Sequence, residues 1–162
     1  MTNEPPMSEE ETSIAPIPVD DPRALTLLRR HWEFTSTSSP PECVHALDLD
    51  GLRAADVSFW MLTEGGAPLG CVALKELDAK HGEIKSMHVV AEARGRGLAG
   101  RLMEHLLQEA RARGYERVSL ETGTVEAFAS SRRLYARYGF EPCPPFAGYP
   151  EHWFSVCMTR RL

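Results

Sequence analysis

A helix opened by glycines can bind an anion with main chain alone, and Arg94-Gly95-Arg96-Gly97-Leu98-Ala99-Gly100 has that form. After Gly97 the apolar residues fall at Leu98, Ala99, Leu102, Met103, Leu106, Leu107 and Ala110, with Arg101, Glu104, His105, Gln108 and Glu109 between them. That spacing is one face of a helix. Its first backbone N–H groups have no intrahelical partner and its dipole is positive there, so an anion such as a pyrophosphate fits. Gly95 and Gly97 remove side chains that would block close approach. Arg94, Arg96 and Arg101 add a local basic patch. The other parts of the common phosphate folds are missing: no GxGxxG with an acidic residue about twenty positions on, and no GK[ST] ending.

The flanking elements must aim this turn. Glu83 to Val90 reads as the strand before it, and Gly114 closes the helix after Arg111 and Arg113, which suit its negative end. Val118 to Thr122 is a short strand reached by a helical crossover, so it runs parallel to its predecessor. Glu126 to Tyr138 is a further helix closed by Gly139, Phe140 starts another strand, and Trp153 to Thr159 completes a terminal hairpin after the Pro142 to Pro150 loop. Upstream, Val57 to Glu64 and Leu69 to Leu77 flank the Gly65-Gly66 turn as a hairpin, and Asp78 to Gly82 is a second break. Asp20-Asp21-Pro22 supplies a cap and a first-turn proline for a helix from Pro22 to Phe34. Thr35 to Pro41 reads as a loop, and Val44 to Arg53 holds a short second helix. Ser13 to Val19 carries two prolines, which confine it to a sheet edge. Met1 to Glu11 is acidic and poor in apolar residues, a flexible tail before one domain over residues 12–162.

With 162 residues and 43% hydrophobic content, one core of ordinary size is expected. A net charge of −5 argues against a nucleic-acid or anionic-membrane partner. Cys43, Cys71, Cys143 and Cys157 show neither a CxxC pair nor the spacing of a zinc site, so reduced thiols and no metal are expected. The first twenty residues lack a basic segment followed by an apolar one, and no apolar run reaches membrane-spanning length, so a cytoplasmic protein is expected.

Three local matches give the chain a resemblance to the GNAT superfamily of acetyl-CoA-dependent N-acetyltransferases. Arg94-Gly95-Arg96-Gly97-Leu98-Ala99 looks like that family's [QR]-x-x-G-x-[GA] pyrophosphate loop, Leu134-Tyr135-Ala136-Arg137-Tyr138-Gly139-Phe140 looks like its LYxxxGF segment, and the strand order agrees. The resemblance covers about residues 57 to 160. It implies an α/β fold: a mixed, mainly antiparallel twisted sheet of six to seven strands, helices on both faces, and a splayed central parallel pair. Acetyl-CoA is the implied cosubstrate. Backbone N–H groups from Gly95 to Gly100 would hold its pyrophosphate, helped by Arg94 and Arg96. Met87, His88 and Val89 occupy the strand edge where pantetheine hydrogen-bonds in the family.

The resemblance also assigns the acid–base work. A phenol near the sulfur can protonate the leaving CoA thiolate, and Tyr135 matches the family tyrosine that does so. An ammonium must lose a proton before it attacks, and Glu83 stands where the histone-acetylating branch has its glutamate. Glu121 and ordered water are the alternatives. At position 128 many relatives carry an asparagine that bonds the cofactor; here it is Phe128, with Ser130 and Ser131 the nearby polar groups. Arg132 and Arg133 are expected on a solvated helix face. The implied reaction is direct acetyl transfer to a primary amine of a small molecule or peptide, with Phe34 to Arg53 and the Pro142 to His152 loop setting specificity. Phe146, Tyr149 and Trp153 are candidate walls, and a homodimer is compatible with the chain. A non-catalytic acyl-CoA-binding module is the competing expectation.

Overall fold

The computed structural model describes residues 11–43 and 49–162. The acidic tail therefore lies almost wholly outside the described residues, as do the start of the expected second helix and the Cys43 side chain. Among the described residues seven strands form one sheet: β1 Thr12–Pro16, β2 Val57–Glu64, β3 Ala67–Asp78, β4 His81–Val89, β5 Arg117–Gly123, β6 Glu141–Cys143 and β7 Ser155–Arg161. They are ordered β1-β2-β3-β4-β5-β7-β6, and every neighbouring pair is antiparallel except β4 with β5. The helices are α1 Pro22–Thr37, α2 Leu49–Arg53, α3 Leu98–Ala112 and α4 Ala129–Arg137.

The two long helices cover opposite faces. A Cβ on Gly70 of β3 would meet Leu102 of α3 at 3.0 Å, while the next residue, Cys71, pairs with His88, whose ring meets His31 of α1. Successive strand residues point to opposite faces, which fixes the layering. Leu102, Met103, Leu106 and Ala110 of α3 are fully buried, as are Ala24 and Leu28 of α1. Each buried leucine contributes about 2 kcal/mol of transfer free energy, so the amphipathic stripes read from the sequence are what bind both helices to the sheet.

Element ends differ from expectation for local reasons. Helix α1 runs three residues past Phe34 because the Thr35 and Thr37 hydroxyls donate back to the carbonyls of Trp32 (3.1 Å) and Glu33 (2.7 Å). The last strand starts at Ser155, not Trp153, because His152 holds a turn there: its Nδ1 accepts from the Phe154 N–H at 3.1 Å and its carbonyl from Ser155 N–H at 3.0 Å. The expected helix from Glu126 begins as a 3-10 turn, Glu126–Phe128, before α4.

The parallel seam is closed at its base and open above. Only His81, Gly82 and Glu83 pair with Arg117, Val118 and Ser119. His81 Nε2 lies 2.6 Å from Ser119 Oγ across the seam, and Ser119 Oγ lies 2.8 Å from Thr159 Oγ1. Beyond Ser119 no further pairs form, and β4 bulges: Ser86 has φ 53, and the β3–β4 register shifts between Cys71 and Ala73. A bulge re-aims its strand, and here it leaves the upper edge of β4 facing a cavity rather than β5.

Candidate active site

That cavity measures about 700 Å³ and is bounded by the upper parts of β4 and β5, the end of α1, the start of α3 and the start of α4. At its α3 wall, Gly95 (φ 80) and Gly97 (φ 75) both take the left-handed conformation, with open space where a Cβ would stand. L residues reach that conformation at a cost of about 1 kcal/mol, so glycine here serves the turn and the approach together. The first intrahelical bond runs from Arg101 N–H to Gly97 O at 3.2 Å, so the N–H groups of Leu98, Ala99 and Gly100 precede the helical ladder. All three residues line the cavity.

Gly100 has a second reason to be glycine. A Cβ there would lie 2.7 Å from Tyr138 Oη, which donates to the Gly100 carbonyl at 3.3 Å. The arginines of the turn also divide. Arg94 lines the cavity with its guanidinium 5.8 Å from the centroid of the Phe34 ring. Arg96 makes a two-pronged ion pair with Glu64 of β2 and is not among the cavity's lining residues.

Met87, His88 and Val89 line the opposite wall along the β4 edge. His88 is buried, with its Nδ1 3.3 Å from Nδ1 of His31. Burial drives both imidazoles down to about 4; for His88 the neighbouring His31, Arg94 and Arg30 add to it against Glu92. Both rings are thus neutral at pH 7, one Nδ1 donating and the other accepting. His88 is a hydrogen-bonded wall residue rather than a charged one.

Tyr135 of α4 also lines the cavity while only 7% exposed. Burial, with the nearby Glu121 carboxylate, pushes its phenol up to about 12, so it holds its proton at any working pH. Glu121 lines the cavity too, accepting from Ser155 Oγ at 2.5 Å. Glu83 differs: it is 2% exposed and is not itself a lining residue. Its Oε2 accepts from Tyr149 Oη at 2.6 Å and lies 3.7 Å from Lys85 Nζ. Tyr149 and Lys85 do reach the cavity. Sequence reasoning had Tyr149 only as a wall and did not single out Lys85 or His31. The i, i+2 spacing of Glu83 and Lys85 was a usable signal for Lys85, whereas the contact of Tyr149 spans 66 residues and left none.

Phe128 is buried in the cavity wall between Phe34 (ring centroids 5.4 Å) and Phe154 (5.6 Å), over Gly123, where a Cβ would come within 2.5 Å of the Phe128 ring. Arg132 donates to the carbonyls of Gly123 (2.7 Å) and Val125 (2.9 Å), closing the end of β5, and Arg133 is exposed. Phe146 meets Tyr149 edge to face, ring centroids 5.4 Å apart, and Trp153 is 69% exposed beside a separate surface groove.

Comparison with known proteins gives a consistent result. The family model described as the acetyltransferase (GNAT) family matches residues 24–140. The chain is 46% identical to the uncharacterised N-acetyltransferase YsnE of Bacillus subtilis over 86% of this chain and 93% of that protein. It is 36% identical to an IAA acetyltransferase of Azospirillum brasilense over 76% of this chain and 80% of that one. Among solved structures, a GNAT family acetyltransferase from Elizabethkingia anophelis with acetyl-CoA bound superposes with a TM-score of 0.68 at 18% identity, over 93% of this chain and 98% of the other. That likeness is one of fold.

Proposed function

The chain belongs to the acetyltransferase (GNAT) family, and on that premise we propose that it moves an acetyl group from acetyl-CoA to a primary amine of a small molecule or peptide, by direct transfer in a ternary complex. Acetyl-CoA brings a pyrophosphate and a long, narrow pantetheine arm. The glycine turn and the leading N–H groups of α3 suit the first, and the unpaired upper edge of β4 suits the second. The observation that carries the reading is that one cavity joins the α3 turn, the open β4 edge and the Tyr135 phenol.

In this reading Leu98, Ala99 and Gly100 hold the pyrophosphate through main chain, with Arg94 as the adjacent cation. Arg96, engaged by Glu64, holds the turn instead. Met87, His88 and Val89 present backbone to the pantetheine, and an N–H of that edge polarises the thioester carbonyl. Tyr135 donates its proton to the departing thiolate, the role its raised pKa suits. Glu83 is the final proton acceptor from the amine, with Glu121 the carboxylate in reserve. Cys71 supports direct transfer over a covalent relay: burial drives its thiol up to about 12, so its thiolate is not populated. The acceptor enters past Trp32, Thr35 and Leu52 at one end and Tyr149 at the other. The name of the Azospirillum relative supports an acceptor of small size.

Initial-rate kinetics with both substrates varied tests this. Intersecting double-reciprocal lines and a product heavier by one acetyl group are expected; parallel lines, the mark of a covalent acetyl-enzyme, would overturn direct transfer.

A further inference from the structure

The charges that line the cavity are unevenly matched. Among its described lining residues the cations are Lys75, Lys85, Arg94 and Arg137, and the carboxylate is Glu121, which accepts from Ser155 Oγ at 2.5 Å. In a chain of net charge −5 such a surplus of positive charge is local. The cations fall into two groups. Arg94 stands at the glycine turn, and Arg137 precedes Tyr138, whose hydroxyl donates to the Gly100 carbonyl of the same turn. Both belong to the end that suits the phosphates of acetyl-CoA. The lysines are at the other end. Lys75 of β3 pairs with Glu83, the last β4 residue of the closed seam, and Lys85 follows on β4. The run from Glu83 to Val89, beyond which the chain turns toward Gly95, is roughly 20 Å of strand. In the proposed reading the uncharged pantetheine arm occupies that stretch, so the cosubstrate brings no anion to the lysines.

Sheet geometry makes the two lysines one site. Side chains alternate between faces, so Lys75 shares the α1 face with Ala73 and Cys71, and Lys85, paired with Ala73, shares it too. Lys75 and Lys85 are therefore diagonal neighbours on one face, about 7–8 Å apart at the backbone. Val57, paired with Lys75 from β2, and Leu52 of α2 add apolar wall. Glu83 stands opposite Lys75 but directs its Oε2 to Tyr149 Oη at 2.6 Å and, more distantly, to Lys85 Nζ at 3.7 Å. The half-buried Lys75 makes no side-chain hydrogen bond or ion pair among the described residues. Lys85 has three N–H donors and two long contacts, 3.7 Å to Glu83 and 3.4 Å to Tyr149 Oη, with its side chain 34% exposed. Two ammoniums this close repel each other, and an anion between them relieves that repulsion while gaining from both.

Resting on the acetyltransferase reading, we propose that Lys75 and Lys85 bind a carboxylate of the acceptor, so that the substrates are free amino acids and other amines that carry an acid group. A carboxylate offers one oxygen to each ammonium. An amine a few bonds away is then held on the Glu83 side of the cavity, where the proposed reaction takes up its proton. The same two cations repel the second ammonium that a diamine or polyamine would bring, so the site selects by charge in both directions. Lys75 is the cleaner of the two anchors, because Lys85 also touches Glu83.

The test compares acceptors that differ in that carboxylate: a panel of amino acids, the same amino acids as their amides, and a diamine. Both kcat and KM are measured for full-length wild type, Lys75→Gln, Lys75→Arg and Lys85→Gln, with melting temperature and acetyl-CoA affinity measured on each to establish folding. Wild type is expected to prefer the acid over its amide by at least about tenfold in kcat/KM, the scale of a charge-assisted contact. The amine of the amide is the less basic and sheds its proton more easily, so such a preference cannot come from deprotonation. Lys75→Gln should raise KM for the acids about tenfold and abolish the preference, while Lys75→Arg keeps it. Lys85→Gln should abolish it as well. A wild type that acetylates the amides or the diamine as readily as the acids, or either glutamine variant that retains the wild-type preference, would overturn the anchor while leaving the acetyltransferase intact. A wild type that binds acetyl-CoA and acetylates none of these amines would overturn the reaction, and the anchor with it.

Discussion

Two imidazoles that stay neutral in a wall bordered by arginines make a specific demand on pH. His31 and His88 fall from an ordinary value of 6.5 to about 4 because burial disfavours their charged forms, with Arg94 and Arg30 opposing a second charge beside His88 and Glu92 favouring it. A histidine with a lowered folded pKa binds fewer protons folded than unfolded, so stability present above pH 6.5 is lost as pH falls toward 4. The loss is of the order of 3 kcal/mol for each ring. Melting scans from pH 7 to 4.5 should show this decline, and His31→Phe should flatten it; an unchanged slope would mean the rings are not held neutral. The arginines of the glycine turn show what sequence could not distinguish. Arg94 and Arg96 are two residues apart and chemically alike, and only Glu64, on another strand, separates them by pairing with Arg96. Arg94→Ala should weaken acetyl-CoA binding about three- to fivefold, the scale of an exposed contact worth ~1 kcal/mol. Arg96→Ala should leave that affinity within twofold, both read by calorimetric titration.

At the scale of elements, α3 does two jobs with one turn. Its N-terminus opens onto the cavity, while Gly100 lets Tyr138, just past the end of α4, pack against the same turn. Gly100→Ala should therefore destabilise the fold by about 1–3 kcal/mol, the cost of overpacking a close contact. Adding Tyr138→Phe removes the atom that the new Cβ would meet and should recover most of it; denaturant unfolding of the single and double variants measures this. No recovery would place the role of Gly100 elsewhere. The helix stripe and the glycines were legible because their periodicity and punctuation are local. The bulge at Ser86 was not, because nothing in Lys85-Ser86-Met87 signals a left-handed residue; it arises where β4 must pair with β3 while parting from β5. Thr35 and Thr37 misled for the opposite reason: turn-forming hydroxyls here bond back along α1 and prolong it.

Over the whole molecule, strand order, the central parallel pair and helices on both faces were legible because three ordered motifs constrain one topology. How β4 and β5 stay joined was not. The His81–Ser119–Thr159 chain of contacts that closes the base of the seam lies 38 and 40 residues apart in sequence. In the proposed function a seam fixed below and open above is the slot for acetyl-CoA, so the ligand should stabilise the whole sheet. At one hundred times its Kd, acetyl-CoA should add about 2.7 kcal/mol to unfolding, seen as a concentration-dependent rise in Tm, while ATP adds little. The central claim is that the cavity joining the α3 turn to Tyr135 performs acetyl transfer. Its most direct test is acceptor-dependent thiol release from acetyl-CoA by wild type and Tyr135→Phe, with acetyl-CoA affinity measured on both. Turnover by wild type is expected, with a fall in kcat of about 10²- to 10³-fold in the variant at unchanged affinity. Equal rates in the two proteins, or no acceptor-dependent thiol release by a wild type that binds acetyl-CoA, would contradict it.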